Sequence, residues 1–279
     1  MAGQPNSQPR IQPTQPQGIG GVLDTAFQLY KASFAFVWPI SLLLAIVGMP
    51  PTLYWMFSGA QLPETGGVSV SIGAGLGFDP GDPLGSIIGL ISGILTMWTM
   101  SALYLKQRAV GVDESLSIGD ALKRALQRLP ALVGASILFV LAVVIGLVLL
   151  LLPGLILMVS LMMYMALLLF ENKGAVESLT GSHKLVWGNW WRSTAILTVA
   201  LILVIVIFIA LGVVAAIVAP FAGLIMEDIV MVGELVFNAV FNVLLMPFFT
   251  AVMIALYWDL KLRKEGGDLA ARVNALNAA

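Results

Sequence analysis

The sequence predicts an all-α polytopic integral membrane protein: six transmembrane helices forming three hairpins, each preceded by an amphipathic interfacial helix. Three observations carry this. The 279-residue chain is 59% hydrophobic and 10% charged, with a mean hydropathy of +0.97. A soluble domain carries about 25% charged residues, so this chain has too few charges to coat a water-facing surface. Apolar runs of the roughly 20 residues that a spanning helix needs recur along it. All 14 lysines and arginines fall in alternate gaps between those runs. The composition excludes an ordinary cytosolic enzyme, a nucleic-acid binder and a disordered protein. A net charge of −1 distinguishes no partner, and the absence of cysteine excludes disulfides, thiolate metal sites and cysteine nucleophiles.

Residues 1–18 are rich in Gln and Pro and have almost nothing to bury, so they are predicted to form a disordered cytoplasmic tail. They lack the apolar stretch of a signal peptide, which leaves the N-terminus on the side where it was made. Residues 19–265 form the membrane domain, and 266–279 a short cytoplasmic tail. The spans are predicted at 34–57, 84–105, 131–152, 155–170, 193–218 and 235–258. The apolar run from Ala131 to Phe170 is too long for one crossing. Pro153-Gly154 inside it is a strong turn signal and splits it into a hairpin. In hydrocarbon each segment must satisfy its own backbone groups, so such runs become helices.

Charge gives an independent check, because basic residues accumulate in cytoplasmic loops. Arg10 and Lys31 precede the first span. Lys106, Arg108, Lys123, Arg124 and Arg128 lie between the second and third, and Lys173, Lys184 and Arg192 between the fourth and fifth. Lys261, Arg263, Lys264 and Arg272 follow the sixth. The other gaps hold only the acids Glu64, Asp79 and Asp82, and Glu227, Asp228 and Glu234. An even number of crossings with both termini cytoplasmic accounts for every charge, and in a bacterial cell this is the inner membrane. Trp38, Trp55, Trp187, Trp190, Trp191 and Trp258 fall near span ends, where amphipathic rings prefer to sit.

The stretches entering the odd-numbered spans resemble one another. Asp24-Thr25, Asp120-Ala121 and Glu177-Ser178 each place an acid and a small residue at the start of an amphipathic segment. An acid there complements the positive end of the helix dipole. In the second copy Leu122, Ala125, Leu126 and Leu129 share one face, and Lys123, Arg124, Gln127 and Arg128 the other. A basic amphipathic helix of this kind lies in the interface and is drawn to anionic lipid.

The segments Glu171-Asn172-Lys173-Gly174-Ala175-Val176-Glu177-Ser178-Leu179 and Leu185-Val186-Trp187-Gly188-Asn189-Trp190-Trp191 carry a resemblance. So does the tail from Tyr257-Trp258-Asp259-Leu260-Lys261 to Asp268-Leu269. With these motifs the chain, over about residues 19–270, resembles a group of bacterial and archaeal membrane proteins. The group includes YciC-like inner-membrane proteins and the membrane domain attached to some glycerophosphodiester phosphodiesterases. The resemblance implies a six-helix membrane domain and no particular activity. The soluble phosphodiesterase barrel has no counterpart here.

Candidate chemistry is sparse. Glu234, Asn238 and Asn242 are spaced i, i+4, i+8 and stack on one face of the sixth span, with Pro247 beyond them to kink the helix or free the carbonyl of Val243. They either line a polar path or bind a ligand, or the asparagines bridge packed helices while Glu234 sits at the outer interface. Gly85, Gly89 and Gly93 repeat the small-xxx-small spacing that lets helices approach closely. Ser92, Thr96 and Thr99 cluster on one side of that helix. Lys123, Arg124, Arg128, Lys261, Arg263 and Lys264 are candidates for a basic cytoplasmic face that meets lipid headgroups. Glu171 and Glu177 read as helix-end carboxylates, Glu171 within reach of Lys173 or Arg192. The pairs Asp259/Arg263 and Lys261/Glu265, spaced i, i+4, read as a salt-bridged helix end or a docking site. His183 is the sole histidine and makes neither a metal cluster nor a triad.

The expectation is therefore a non-enzymatic scaffold or accessory subunit of the cytoplasmic membrane, with no cofactor, metal or nucleic acid. Its partners are membrane lipids, anionic headgroups among them, or another membrane protein. The alternative is a small transporter or channel using the polar face of the sixth span. A lipid-processing enzyme ranks last, since no constellation of ionisable groups supports it.

Overall fold

The structure, a computed structural model, describes residues 10–58, 82–222 and 229–278. Glu64, Asp79, Glu227 and Asp228 lie outside the described residues, as does the side chain of Glu234. The elements are α1 (Ile19–Ser58), α2 (Pro83–Gly111), α3 (Ile118–Leu149), α4 (Leu151–Leu161), α5 (Tyr164–Phe170), α6 (Ala175–Val186), α7 (Trp190–Ala222) and α8 (Ile229–Val240). A π-helical turn, Phe241–Leu245, then leads into α9 (Met246–Ala278). Among the described residues there is no strand, and the chain is an all-α polytopic membrane protein. Six helical segments are long and apolar enough to cross a membrane: Ile19–Ser58, Pro83–Gly111, Ile118–Leu149, Leu151–Phe170, Trp190–Val214 and Leu235–Gly266.

Two of the three expected interfacial helices are not separate elements. Helix α1 runs unbroken from Ile19 through the first span, and α3 from Ile118 through the third. Neither junction holds a residue in an extended or left-handed conformation. Only α6 stands apart. Trp187 is extended and Gly188 adopts φ +91°, which lets the chain reverse into α7.

Helix α1 contains Pro39, Pro50 and Pro51. Pro51 has no N–H to offer the carbonyl of Val47 four residues earlier, and the Ser92 hydroxyl of α2 donates to that carbonyl instead. This is how a membrane helix tolerates proline: a neighbouring helix supplies the missing donor.

The hairpin expected at Pro153-Gly154 turns earlier. Leu150 alone is extended (φ −162°, ψ 142°), and Pro153 sits in the first turn of α4, where its missing N–H costs no intrahelical bond. The glycine signal has a different role. A Cβ on Gly154 would lie 2.4 Å from the Leu147 side chain and 2.7 Å from its backbone nitrogen, so glycine permits the close antiparallel contact. The fourth span also breaks at Met162–Met163. There the buried Ser182 hydroxyl of α6 accepts from the Met163 N–H (3.0 Å) and donates to the Ser160 carbonyl (2.8 Å).

Helix α9 is the axis of the bundle, with Thr250 to Leu260 buried all round. In the most apolar 18-residue window of the sixth crossing 56% of residues are buried, against 11% in the fifth, so α7 is peripheral and left to lipid. Gln107 of α2 is fully buried against α9. Its amide donates to the Pro247 carbonyl (2.8 Å) and to Ser33 of α1 (3.1 Å), and its oxygen accepts from Thr250. One glutamine thus joins three helices.

Candidate functional site at the basic end of the bundle

The segments that carry the basic residues meet at one end of the molecule. Asp259, in the last buried turn of α9, has no solvent exposure. Its Oδ2 accepts from Arg263 Nε (2.9 Å) one turn on, and from Nε and Nη2 of Arg192 at the start of α7 (both 3.1 Å). Its Oδ1 accepts from the backbone N–H of Gln17 (2.8 Å). Both arginines also donate to the Gln17 carbonyl, and the Gln17 side chain accepts from Thr25 (2.9 Å). A buried carboxylate needs this many donors, because an unpaired buried charge is strongly unfavourable. The clamp corrects the expectation of a wholly disordered tail. Residues 10–18 follow a defined path, fixed at Gln17 and again where Ile11 and Gln12 donate to the Gly111 carbonyl (both 3.1 Å). Their backbone groups supply the attachment, together with Ile11, whose side chain packs against the core.

Beside it lies a second cluster. Asn172 takes φ +55°, a conformation asparagine tolerates, and turns the chain between α5 and α6. This brings Lys173 back to within 2.8 Å of Glu171. Glu171 also accepts from the Tyr257 hydroxyl (2.7 Å) and from Lys261 (3.0 Å) of α9. Burial works against its charge, but the hydrogen bonds from Lys173, Tyr257 and Lys261 outweigh it and hold the carboxyl at about 2. The partners of Glu171 are therefore Lys173 and Lys261, and Arg192 is taken by Asp259. Lys261 also lies 3.9 Å from Glu265. Glu177, in the first turn of α6, accepts from the Gly174 N–H (3.3 Å).

A third group joins the α2–α3 loop to this end. Glu114 lies 3.4 Å from Arg124 and 4.0 Å from Arg108. Arg128 donates to the Asn172 side chain and carbonyl. Of the candidate basic face, then, Arg263 is spent on the Asp259 clamp, and Arg124, Arg128 and Lys261 are tied to neighbours. Lys123 is exposed and has no partner among the described residues. Lys264 is exposed and reaches the Lys184 carbonyl at 3.4 Å.

Between α5, α6 and α9 an open cleft of about 210 Å³ is lined by Lys173, Lys184, Lys261, Lys264, Glu171 and Glu265 over an apolar floor of Leu167 and Leu185. Four lysines and two glutamates contribute to its lining.

The polar face of the sixth span is not assembled in this way. Asn242 Nδ2 donates to the carbonyl (3.0 Å) and side-chain oxygen (2.9 Å) of Asn238, on the same helical stretch. The π-helical turn Phe241–Leu245 lies just before Pro247, where the freed Val243 carbonyl was expected. Gly85, Gly89 and Gly93 are buried along α2 with Ser92, the residue that bonds α1. Thr99 bonds the Leu95 carbonyl of its own helix (2.7 Å). His183 packs its ring on Trp187 at 5.0 Å between centroids. Among the described residues no three His, Asp or Glu side chains converge as a metal site.

Gln17, Gln107 and Ser182 escape a reading of the sequence. Their partners lie up to 246 residues away, and only Gln107, a polar residue at the end of an apolar run, carries any local signal. The chain matches no protein-family model, no curated protein sequence and no solved structure.

Proposed function

We propose that this protein is a non-enzymatic scaffold or accessory subunit of the cytoplasmic membrane, of the YciC-like kind. It holds a fixed basic platform at the cytoplasmic surface to engage anionic lipid headgroups or a membrane partner. The observation that carries the reading is the cross-tying of every basic segment at one end of the bundle. Asp259 and Glu171 lock the N-terminal stretch, α5, α7 and α9 together, while Lys123, Lys184 and Lys264 stay exposed. A rigid end with outward cations suits a surface that gathers anions, since each lysine near an anionic leaflet contributes about 1 kcal/mol. The Asn242 amide is spent on two oxygens of Asn238 along the same helical stretch, which favours this reading over transport.

Purification in mild detergent with analysis of the retained lipids and proteins tests it. Anionic phospholipids enriched over their share of the source membrane are expected. Retained lipid of the same composition as that membrane, with no co-purifying protein, would contradict the proposal.

A further inference from the structure

The geometry points to the cleft between α5, α6 and the end of α9 as a binding site for a phosphate-bearing anion, seated between Lys184, Lys264 and Lys173. The inference rests on the proposed lipid-engaging role and assigns it a place.

Three features distinguish this cleft from the rest of the basic end. The first is its charge balance. The buried Asp259 is matched by two arginines that face it; here four lysines line one opening with only Glu171 and Glu265 to offset them. Glu171 is already engaged by Lys173, Lys261 and Tyr257, and Glu265 is exposed. The second is that donors are left over. The Lys184 ammonium has no partner among the described residues. Lys264 has one long bond to a carbonyl, and Lys173 is spent on a single oxygen of Glu171. An ammonium brings three donors, so each can donate to a further oxygen. The third is shape. Gly181 forms part of the wall, and a side chain there would start 3.2 Å from Lys173 Nζ, so its absence keeps the opening clear. At about 210 Å³ the cleft is smaller than the roughly 300–1,000 Å³ of sites for drug-sized ligands. It accommodates a phosphate and the atoms next to it. Lysines bind phosphate as mobile point charges and do not demand one fixed orientation, which suits a headgroup entering from the leaflet. The apolar floor of Leu167 and Leu185 gives the glycerol and first methylenes of a lipid a surface to lie on.

The test uses the full-length protein in detergent, delipidated, with native mass spectrometry as the readout. Probes are short-chain phosphatidylglycerol, phosphatidylcholine and inorganic phosphate, against the wild type, Lys184→Gln/Lys264→Gln and Lys31→Gln, an exposed lysine of α1 outside the cleft lining. Each cleft lysine contributes about fivefold, so the double variant is expected to bind phosphatidylglycerol about 25-fold more weakly, while Lys31→Gln changes it by less than about twofold. Phosphatidylcholine binding stays the same in all three. Displacement of phosphatidylglycerol by millimolar inorganic phosphate would assign the cleft to soluble phosphate esters as well; resistance to it would assign the cleft to the lipid headgroup. A wild type that prefers phosphatidylglycerol and a double variant that prefers it equally would overturn the cleft alone. A wild type with no preference would remove the lipid-engaging role along with it.

Discussion

Asp259 is the point at which the basic end is most exposed to a single change. Replacing it with Asn keeps the shape and removes the charge that four donors share: the Gln17 N–H, two nitrogens of Arg192 and Nε of Arg263. Breaking a buried pair by removing one partner costs about 3–5 kcal/mol. The arginine side chains are 20% and 29% exposed, so both regain some water, and the cost falls near the lower limit, about 3 kcal/mol. The loss falls on the joint of the N-terminal stretch with α7 and α9, because Glu171 is bonded to a separate set of partners. At about 1.4 kcal/mol per factor of ten, amide exchange at Gln17 should rise roughly 100-fold. Hydrogen exchange followed by mass spectrometry, on protein in nanodiscs, reads this over peptides covering residues 11–23. Glu265→Gln serves as a control that leaves the clamp intact. Unchanged protection at Gln17 in Asp259→Asn would refute the assignment of this carboxylate as the anchor of the N-terminal stretch.

Three further outcomes are expected. Glu171 has a folded-state pKa lowered from its ordinary 4.5 to about 2. Its contribution is complete above about pH 4.5 and is lost as pH falls toward 2, so Glu171→Gln should flatten the dependence of melting temperature on pH across that window. Gln107→Leu removes three buried hydrogen bonds between helices, each worth about 0.6 kcal/mol in a membrane protein, and should lower stability in detergent by about 2 kcal/mol. Gly154→Val places a side chain against the Leu147 backbone and should cost about 1–3 kcal/mol and folded yield, whereas Gly212→Val, with nothing within 4 Å, should be neutral.

The crossings were legible in the sequence because burial in lipid is written in local composition: 20 apolar residues announce themselves without knowledge of any partner. The turn at Leu150 was read three residues late. Proline is as acceptable in the first turn of a helix as in a loop, and only the contact between Gly154 and Leu147 shows which applies. The continuity of α1 and α3 was missed for a related reason: a change from amphipathic to apolar pattern marks a change of solvent, not a break in hydrogen bonding. The i, i+4 pair Asp259/Arg263 was visible from spacing, yet Arg192 and Gln17, which complete the clamp, lie 67 and 242 residues away from Asp259 in sequence. Spacing carries no information at such separations. The cleft is legible only in part: its lysines belong to loops flagged as basic, but their convergence depends on the positive φ of Asn172 and on α6 folding back against α9.

The absence of cysteine lets single labels report the topology. Single substitutions Gly66→Cys and Asp113→Cys can be labelled with a membrane-impermeant maleimide before and after opening the cells. Six crossings with the basic end inside predict that Gly66→Cys is labelled in intact cells and Asp113→Cys only after lysis. Labelling of both from the same side of the membrane would contradict the account.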